Sequence, residues 1–530
     1  MEHDRTAKDN NEEEEIKVVP LVISTEEILE QSIGHLNCTQ ILQSTLTSLS
    51  PFLESLQTFI SIYAHAQPTW HCTTHTPLCS PNKSNQCNLP RNTWEWDSPP
   101  RVHTSIISEW NLECATSFIT GLPGTSYFAG CLLGGLLLAT LGDSSLGRKN
   151  LLCLSSLILY LAGLASAFAP NIWVYSVLRF LSGIGRAPLP MCAIILFTER
   201  VSKKWRSQIV MLGFISSSLG LLVLTGIAYI AKDSSWRILY LYTSIPGLIF
   251  TVISYFFMYE SPRWLLLQGR DQDAINVLKS LGGPKTHQMS PSLNIIIKYT
   301  QQQKGVCTIS TNPYASLKIL IGRSWAAKRL MASMLLAFGI GLMYFGMFLG
   351  VGSLGSNIYT TSVYHSLLSL SSSFLAFLYW IPKCNRRISL IGYCSLSGGM
   401  SIALSILGRG RVNHEITLGM ELVSMFSACM AYNMVMLYII ELFPTCVRSS
   451  ASQLVRQATN LGTVLDPILV LLGSGNMIYS YGVFGLAMLL CGFLVIWLPE
   501  TRGKVLCDTM EEQEVLDKGM PNQNTLNNHI

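Results

Sequence analysis

The sequence predicts an all-α membrane protein of about twelve transmembrane helices in two six-helix halves. Three observations predict it. Of the 530 residues, 49% are hydrophobic and only 13% are charged, and that charged share is about half that of an ordinary soluble domain. Windows of about 20 apolar residues, the length a helix needs to cross roughly 30 Å of hydrocarbon, recur along nearly the whole chain. Short polar signatures recur in the same order in each half, offset by roughly 240 residues.

In chain order, residues 1–38 form a charged tail (MEHDRTAKDNNEEEEIK) that has no apolar core. It reads as disordered and not as a removable signal peptide. The first half, 39–258, supplies spans expected at 39–63, 118–141, 151–169, 172–197, 208–231 and 238–258. A polar stretch, 259–329, follows. In it DQDAINVLKSL and NPYASLKILIGRSWAAKRL carry helical apolar spacing and read as short helices joining the halves. The second half, 330–498, supplies spans expected at 330–351, 357–381, 388–407, 416–440, 451–472 and 478–498, and a tail, 499–530, closes the chain.

If the spans alternate, Arg148, Lys149, Arg200, Lys203, Lys204, Arg206, most basic residues from Arg263 to Arg329, Lys383, Arg386, Arg387, Arg448, Arg502 and Lys504 share one side. Lys83, Arg91, Arg101, Lys232, Arg409 and Arg411 lie on the other. The excess marks the cytosolic side and places both tails there. The net charge of +5 is then a topology signal and not a nucleic-acid footprint, because its basic residues are spread over short loops without interleaved aromatics.

The repeat has three pairs. DSSLGRK (143–149) after the second span answers KCNRR (383–387) after the eighth. ERVSKKWR (199–206) after the fourth answers ELFPTCVR (441–448) after the tenth, and ESPRW (260–264) after the sixth answers PETRGK (499–504) after the twelfth. Two parallel halves about a central axis are the architecture of alternating-access carriers. Glu199 and Glu441 sit at helix C-termini, where the helix dipole is already negative, so each calls for a cation. Arg206, Arg448, Arg148, Lys149, Arg386 and Arg387 are at hand, with Asp143 in the same corner. Such pairs could close the basic side and break as the halves rock; the competing reading is that they are solvated loop charges that only set topology.

Several of these segments carry a resemblance. GDSSLGRK, RFLSGIG (179–185), YESPRWLLLQGR, ELFPTCVR and PETRG resemble the signatures of the major facilitator superfamily, and more closely those of the organic cation, anion and carnitine transporter family. LESLQTFISIYAHAQPTWHC (53–72) with LGDSSLGRKN is most similar to the plant organic cation/carnitine branch, and the likeness runs from about residue 25 to about 505. It implies the major facilitator fold and a secondary active transporter of small organic cations or carnitine in the plasma or vacuolar membrane. The driving force would be H+, Na+ or the membrane potential, and no cofactor is implied. A carrier of organic anions or sugar-like solutes, or a diverged carrier acting as receptor or channel, is the alternative. Asn357 and Tyr359 match the family's Asn-x-Tyr of the eighth span, while Ser369 and Ser371 stand where relatives have Glu-x-Pro. Asn460 stands where relatives carry Asp in cation carriers or Arg in anion and carnitine carriers. No phosphate-binding loop or catalytic constellation occurs, which argues against an enzyme.

The loop 64–117 holds Cys72, Cys79, Cys87 and Cys114, an even set that suggests two disulfides of undetermined connectivity; a zinc site with His71 and His75 is the rival reading. Asn82 in Asn-Lys-Ser is a glycosylation acceptor there. Gly339, Gly341, Gly346, Gly350, Gly352 and Gly355 crowd the seventh span and permit either close packing or a gating bend. Tyr344, Tyr359, Tyr364, Trp380 and Tyr432 could face a quaternary ammonium or could simply pack.

On the first span Thr47, Ser50, Glu54, Thr58 and Ser61 recur every three or four residues, so they line one face, which must turn toward protein or water. Counting helical rise places Glu54 at a depth that overlaps that of Arg179 on the fourth span. Glu54 is therefore either the structural partner of Arg179 or a cation or proton site. Asp466, before Pro467 in the eleventh span, is the other intramembrane acid and the second candidate.

Overall fold

In the computed structural model the described residues are 37–73, 79, 86–90, 93–97, 103–138, 146–201, 206–282, 313–351, 357–380, 383–407, 413–473, 477–502, 507 and 510–517. The spans of the first half are Cys38–Phe59 with a further turn at Ser61–Ala64, Ser117–Leu137, Arg148–Ser166, Ile172–Arg186 continued by Leu189–Glu199, Arg206–Ile230 and Trp236–Phe257. Those of the second half are Ser324–Leu349, Ile358–Leu375 continued by a π-turn at Ala376–Trp380, Arg386–Leu407, His414–Leu442, Thr445–Gly473, and Tyr481–Phe493 continued by Leu494–Trp497. Between the halves lie the short helices Pro262–Leu267, Asp271–Gly282 and Pro313–Gly322.

The eleventh span begins at Thr445, not 451, and two further departures from expectation have physical reasons. The fourth span is not one helix: Pro188 has no N–H to give and interrupts it directly after Arg186. The seventh begins at Ser324, not 330, because its charged first turns are answered within the protein. Arg329 Nη2 lies 2.6 Å from Asp517 Oδ2, and Arg323 pairs with Glu511 and Glu514 of the C-terminal helix Met510–Asp517.

Seven described helices are long and apolar enough to cross a membrane by length and composition. The first, second, eighth, eleventh and twelfth spans fall outside that set; the twelfth, Tyr481–Trp497, is shorter, and in the first and eighth polar residues occupy faces turned inward. Thr47, Ser50, Glu54, Thr58 and Ser61 are all buried, as are Ser362, Ser366, Ser369 and Ser373 of the eighth span.

Packing repeats between the halves. The first span packs on the fifth as the seventh does on the eleventh; the second on the fourth as the eighth on the tenth; the third on the sixth as the ninth on the twelfth. The halves meet where the second span touches the eleventh and the fifth touches the eighth, two contacts related by the same exchange. Glycine makes the tightest of these possible. A Cβ on Gly220 of the fifth span would meet the Phe52 carbonyl of the first, and one on Gly462 of the eleventh the Phe338 carbonyl of the seventh; the glycines are about 240 residues apart and the phenylalanines about 286. In the seventh span Gly339, Gly341 and Gly346 each face a close neighbour, respectively Cys491, Thr459 and Phe484, so these glycines permit close packing; Gly352 and Gly355 lie outside the described residues.

At the basic ends each half builds the same corner. Glu260 Oε1 accepts from the backbone N–H of Arg148 and Lys149 at 3.1 Å each, and Glu500 accepts from those of Arg386 and Arg387 at 2.9 and 3.0 Å. These are among the first donors of the third and ninth spans, which have no partner inside their own helix and carry the positive end of its dipole. The next residue, Ser261 or Thr501, donates its hydroxyl to Glu199 or Glu441 respectively, the latter at 2.7 Å. Arg386 Nε and Nη2 also reach Glu441, each at 3.3 Å. Asp143 lies outside the described residues, as does the side chain of Arg206, and Arg448 directs Nε to the Phe443 carbonyl at 3.2 Å. The described partners of Glu199 and Glu441 thus come from their own half.

The loop between the first two spans forms a two-stranded antiparallel sheet, Trp70–Cys72 against Trp94–Trp96. Disulfides join Cys72 to Cys79 and Cys87 to Cys114. His71 Nδ1 instead meets Asp97 Oδ1 at 2.6 Å, and among the described residues no three metal-ligating side chains converge. Glu109 anchors the loop to the sixth span through Trp236 Nε1 (2.7 Å) and Arg237 Nη2 (2.6 Å). Asn82 lies outside the described residues.

Partial burial alone would raise the Glu500 carboxyl, but the backbone N–H groups of Arg502, Arg387, Arg386 and Thr501 outweigh it and hold the group below the ordinary carboxylate range. A depressed folded-state pKa contributes stability that is present above the unfolded value of about 4.3 and lost as pH falls through the folded value. Glu500→Gln is therefore expected to lower the melting temperature in detergent by a few degrees at neutral pH, since a helix cap contributes roughly 1 kcal/mol. In thermal unfolding followed by intrinsic fluorescence, the gap to the parent protein should close on acidification below about pH 4. A gap that persists there would show that charge plays no part in the corner.

Candidate functional site

A cavity lies between the halves. The first span contributes Glu54 and Thr58, the fourth Arg186, the fifth Ser217 and Ser218, the seventh Tyr344 and Phe345, the eighth Ser369 and Ser373, the tenth Tyr432 and Asn433, and the eleventh Arg456. The inward polar faces of the first, eighth and eleventh spans form part of its wall.

Toward the face that carries the 64–117 loop, rings from both halves shut the cavity. Phe59 stacks on Phe345 at 5.8 Å and meets Phe348 at 5.0 Å. Tyr63 stacks on Tyr359 at 5.7 Å, and Tyr229 stands edge-on to Tyr359 at 5.6 Å. Tyr63 donates its hydroxyl to Thr225 at 2.8 Å. On the eighth span Asn357 caps the helix by accepting from the Tyr359 N–H at 3.0 Å. Asn357 and Tyr359 thus build the closed end in this state, and neither lines the cavity.

Deeper in, Glu54 Oε1 lies 2.9 Å from Arg186 Nε, with both side chains nearly excluded from solvent. This corrects the expected pairing with Arg179. Arg179 is fully buried but donates Nη1 to the Gln57 carbonyl at 3.2 Å and lays its guanidinium 4.2 Å from the Tyr127 ring centroid. Arg186 is two turns further along the same helix face. Counting rise along straight, untilted helices cannot separate positions one or two turns apart when the spans lean on one another.

The cavity's charge is unbalanced. Its described lining includes two guanidiniums, Arg186 and Arg456, against one carboxylate, Glu54, which Arg186 already engages. Ser369 adds a hydroxyl that shares a 2.8 Å hydrogen bond with Ser218 across the contact between the fifth and eighth spans. Beside the guanidiniums is an aromatic wall: Tyr344 and Tyr432 stack at 4.4 Å, and Phe214 meets Tyr432 edge-on at 6.5 Å. A guanidinium offers forked donors to a carboxylate, and stacked rings offer faces to a cation. The site can hold both ends of one small solute.

The remaining expected residues fall elsewhere. Asn460 is buried in the eleventh span but does not line the cavity. Asp466 is fully buried, and neither carboxylate oxygen has a hydrogen-bond partner. Its neighbour Pro467 packs on Gly124 where the second and eleventh spans cross. Tyr364 is 42% exposed on the outer surface of the bundle, and the Trp380 side chain lies outside the described residues. Arg186 and Arg456 are the residues that sequence reasoning passed over. Arg456 carried a signal, a cation well inside an apolar window, and Arg186 ends the segment RFLSGIGR.

Comparison with known proteins agrees with this geometry. The family model described as "Sugar (and other) transporter" matches residues 58–513. Organic cation/carnitine transporter 2 of Arabidopsis thaliana is 45% identical over 501 residues, covering 93% of this chain and 94% of that protein. Organic cation/carnitine transporter 3 of the same plant is 46% identical over 496 residues, 93% of each. Human solute carrier family 22 member 13 is 28% identical over 82% of this chain and 75% of its own. Among solved structures, the inward-open xylose transporter of E. coli superposes with a TM-score of 0.65 at 17% identity, over 90% of this chain and 99% of that one, a likeness of fold alone.

Removing one partner of a buried ion pair leaves the other charge uncompensated, at a cost of roughly 3–5 kcal/mol. Arg186→Met is expected to lower the melting temperature in detergent and to reduce folded yield, while the double variant Glu54→Gln/Arg186→Met should regain most of the loss. A single variant as stable as the parent would mean that cavity water already solvates Glu54.

Proposed function

The chain belongs to the sugar (and other) transporter family, together with the Arabidopsis organic cation/carnitine transporters, and we propose that it carries small zwitterions of the carnitine type ahead of simple organic cations. It is an integral multi-pass membrane protein of the major facilitator fold and works by alternating access. The observation that carries the substrate reading is the pair of guanidiniums set against one carboxylate in an aromatic-walled cavity. A quaternary ammonium would rest on Tyr344 and Tyr432, with Glu54 as its distant counter-charge, and a substrate carboxylate would take Arg456. Among the described residues no carboxylate forms an ion pair with Arg456, so a solute carboxylate would supply a local counter-charge there. A simple cation would face a net positive cavity instead.

In this reading the chain is a carrier and not an enzyme, and the basic ends face the cytosol. The ring contacts around Phe59 and Tyr359 would then lie at the external face. Opposite movement would separate those rings and bring the basic corners of the two halves together. A proton is the coupling ion favoured by the buried acids Glu54 and Asp466. The plasma and vacuolar membranes are both compatible with this topology.

Two measurements test the reading. A charge-assisted hydrogen bond contributes about 1.5–3 kcal/mol, so Arg456→Gln is expected to cut uptake of labelled carnitine by about 10-fold or more. Uptake of a quaternary ammonium without a carboxylate, such as tetraethylammonium, should fall far less. Equal losses for both substrates would contradict a carboxylate contact at Arg456. For topology, glycosidase treatment should shift the electrophoretic band of the parent protein and leave Asn82→Gln unmoved; an unshifted parent with the 64–117 loop protected from added protease would reverse the orientation.

A further inference from the structure

Away from the cavity, the second half buries another set of ionisable groups. His365 of the eighth span and Glu421 of the tenth have no solvent exposure, and His365 Nε2 lies 3.8 Å from Glu421 Oε1, within ion-pair reach but too long for a hydrogen bond. Tyr481 of the twelfth span donates to Glu421 Oε1 at 2.9 Å. Glu421 Oε2 and both ring nitrogens of His365 have no hydrogen-bond partner. From the seventh span the Phe348 ring stands edge-on to His365 at 5.8 Å. Among the described residues, the spans packed around the pair present no other charged or titratable side chain within hydrogen-bond or ion-pair distance.

Three unanswered polar atoms cost about 1–3 kcal/mol each in an apolar interior, and a Leu or Phe at either position would pack without that cost. Such groups inside a membrane protein mark ion or proton pathways. We propose that His365 and Glu421 form a proton-binding site that couples transport to a proton gradient. This inference rests on the carrier reading above.

The proton balance is simple. With one proton in addition to a neutral imidazole the pair is neutral overall, either as carboxylic acid beside imidazole or as carboxylate beside imidazolium. Loss of that proton to water leaves a lone carboxylate, which the dry interior disfavours, so release requires a state in which water reaches Glu421. The link to the gate is Phe348, which touches His365 on one side and Phe59 of the first span, 5.0 Å away, on the other. Drawing the pair from 3.8 Å to hydrogen-bond length displaces the ring that shuts the loop-bearing face.

The test uses the whole protein reconstituted in liposomes, with labelled carnitine in two assays: exchange at equal pH on both sides, and accumulation driven by a pH difference. The parent protein is expected to do both. Glu421→Gln and His365→Gln should keep exchange within about 2-fold yet lose about 10-fold or more of the driven accumulation, with a flattened pH profile. Driven accumulation and pH profile unchanged in both variants would overturn the proposal. So would a parent protein that exchanges carnitine but never accumulates it against a proton gradient, a result that leaves the carrier reading intact. A parent that does neither removes the carrier reading and this one with it. Should the Gln variants fold poorly, Tyr481→Phe takes away one hydrogen bond that favours the carboxylate. The pH midpoint of uptake is then expected to rise by about half to one unit, and an unmoved midpoint overturns the proposal.

Discussion

A carboxylate facing hydrocarbon costs at least a few kcal/mol, and the placement of Glu54 on the first span sets the terms for what surrounds it. The residue must turn inward, and with it turn Thr47, Ser50, Thr58 and Ser61, because helical spacing puts them on the same face. Arg186 meets it from the fourth span at 2.9 Å, just before the helix is interrupted at Pro188. The pair occupies the cavity wall, so the desolvation that makes it expensive is relieved by polar neighbours and by space. The first span can then be among the least apolar and still cross the membrane, since its polar face never meets lipid.

The rest of the architecture keeps two like halves able to move against each other without exposing polar groups. Helix starts are the weak points, because their first N–H groups have no partner within the helix. Glu260 and Glu500 answer this at the third and ninth spans, each from the segment that follows the last span of its own half. The corner therefore ties the end of each six-helix unit back to its middle and makes each half a body that can tilt as one. Between the halves the contacts are of another kind: hydroxyl to hydroxyl at Ser218 and Ser369, ring to ring at Phe59 and Phe345, Pro467 against Gly124. Each is weak singly and can be remade in a second arrangement.

The spans were legible because little except a membrane crossing requires an unbroken apolar window of about 20 residues, and the two-half repeat because polar signatures interrupt those windows at equal offsets. The corners were legible as motifs but not as bonds. Glu199 and Glu441 stood out at helix ends, whereas Glu260 and Glu500, in the same signatures, take the backbone donors. The partner of Glu54 was misplaced by two turns because depth along a tilted helix does not follow from residue count. Arg456 is one turn from Asn460 on the same face, so comparing single positions passed over the charge that the cavity contains. His365 and Glu421 were unreadable as a pair: they lie on different spans, and only the fold brings them to 3.8 Å.

Charge inside a carrier has to be conserved through its cycle, and this constrains how the two acidic regions can cooperate. The cavity holds one acid and two bases, so it is positive when empty, and a zwitterion would leave that net charge unchanged while its carboxylate meets Arg456. The His365–Glu421 pair, in contrast, is neutral when protonated and negative when not. Net charge therefore gives the two sites no lever on each other, and coupling between them has to run through the gate, which a filled cavity and a protonated pair would each bias. Substrate and proton would then each favour binding of the other by the same factor, as linkage requires. Direct contact between them is unnecessary, and the aromatic chain from Phe59 through Phe348 to His365 gives the gate a physical means of following both.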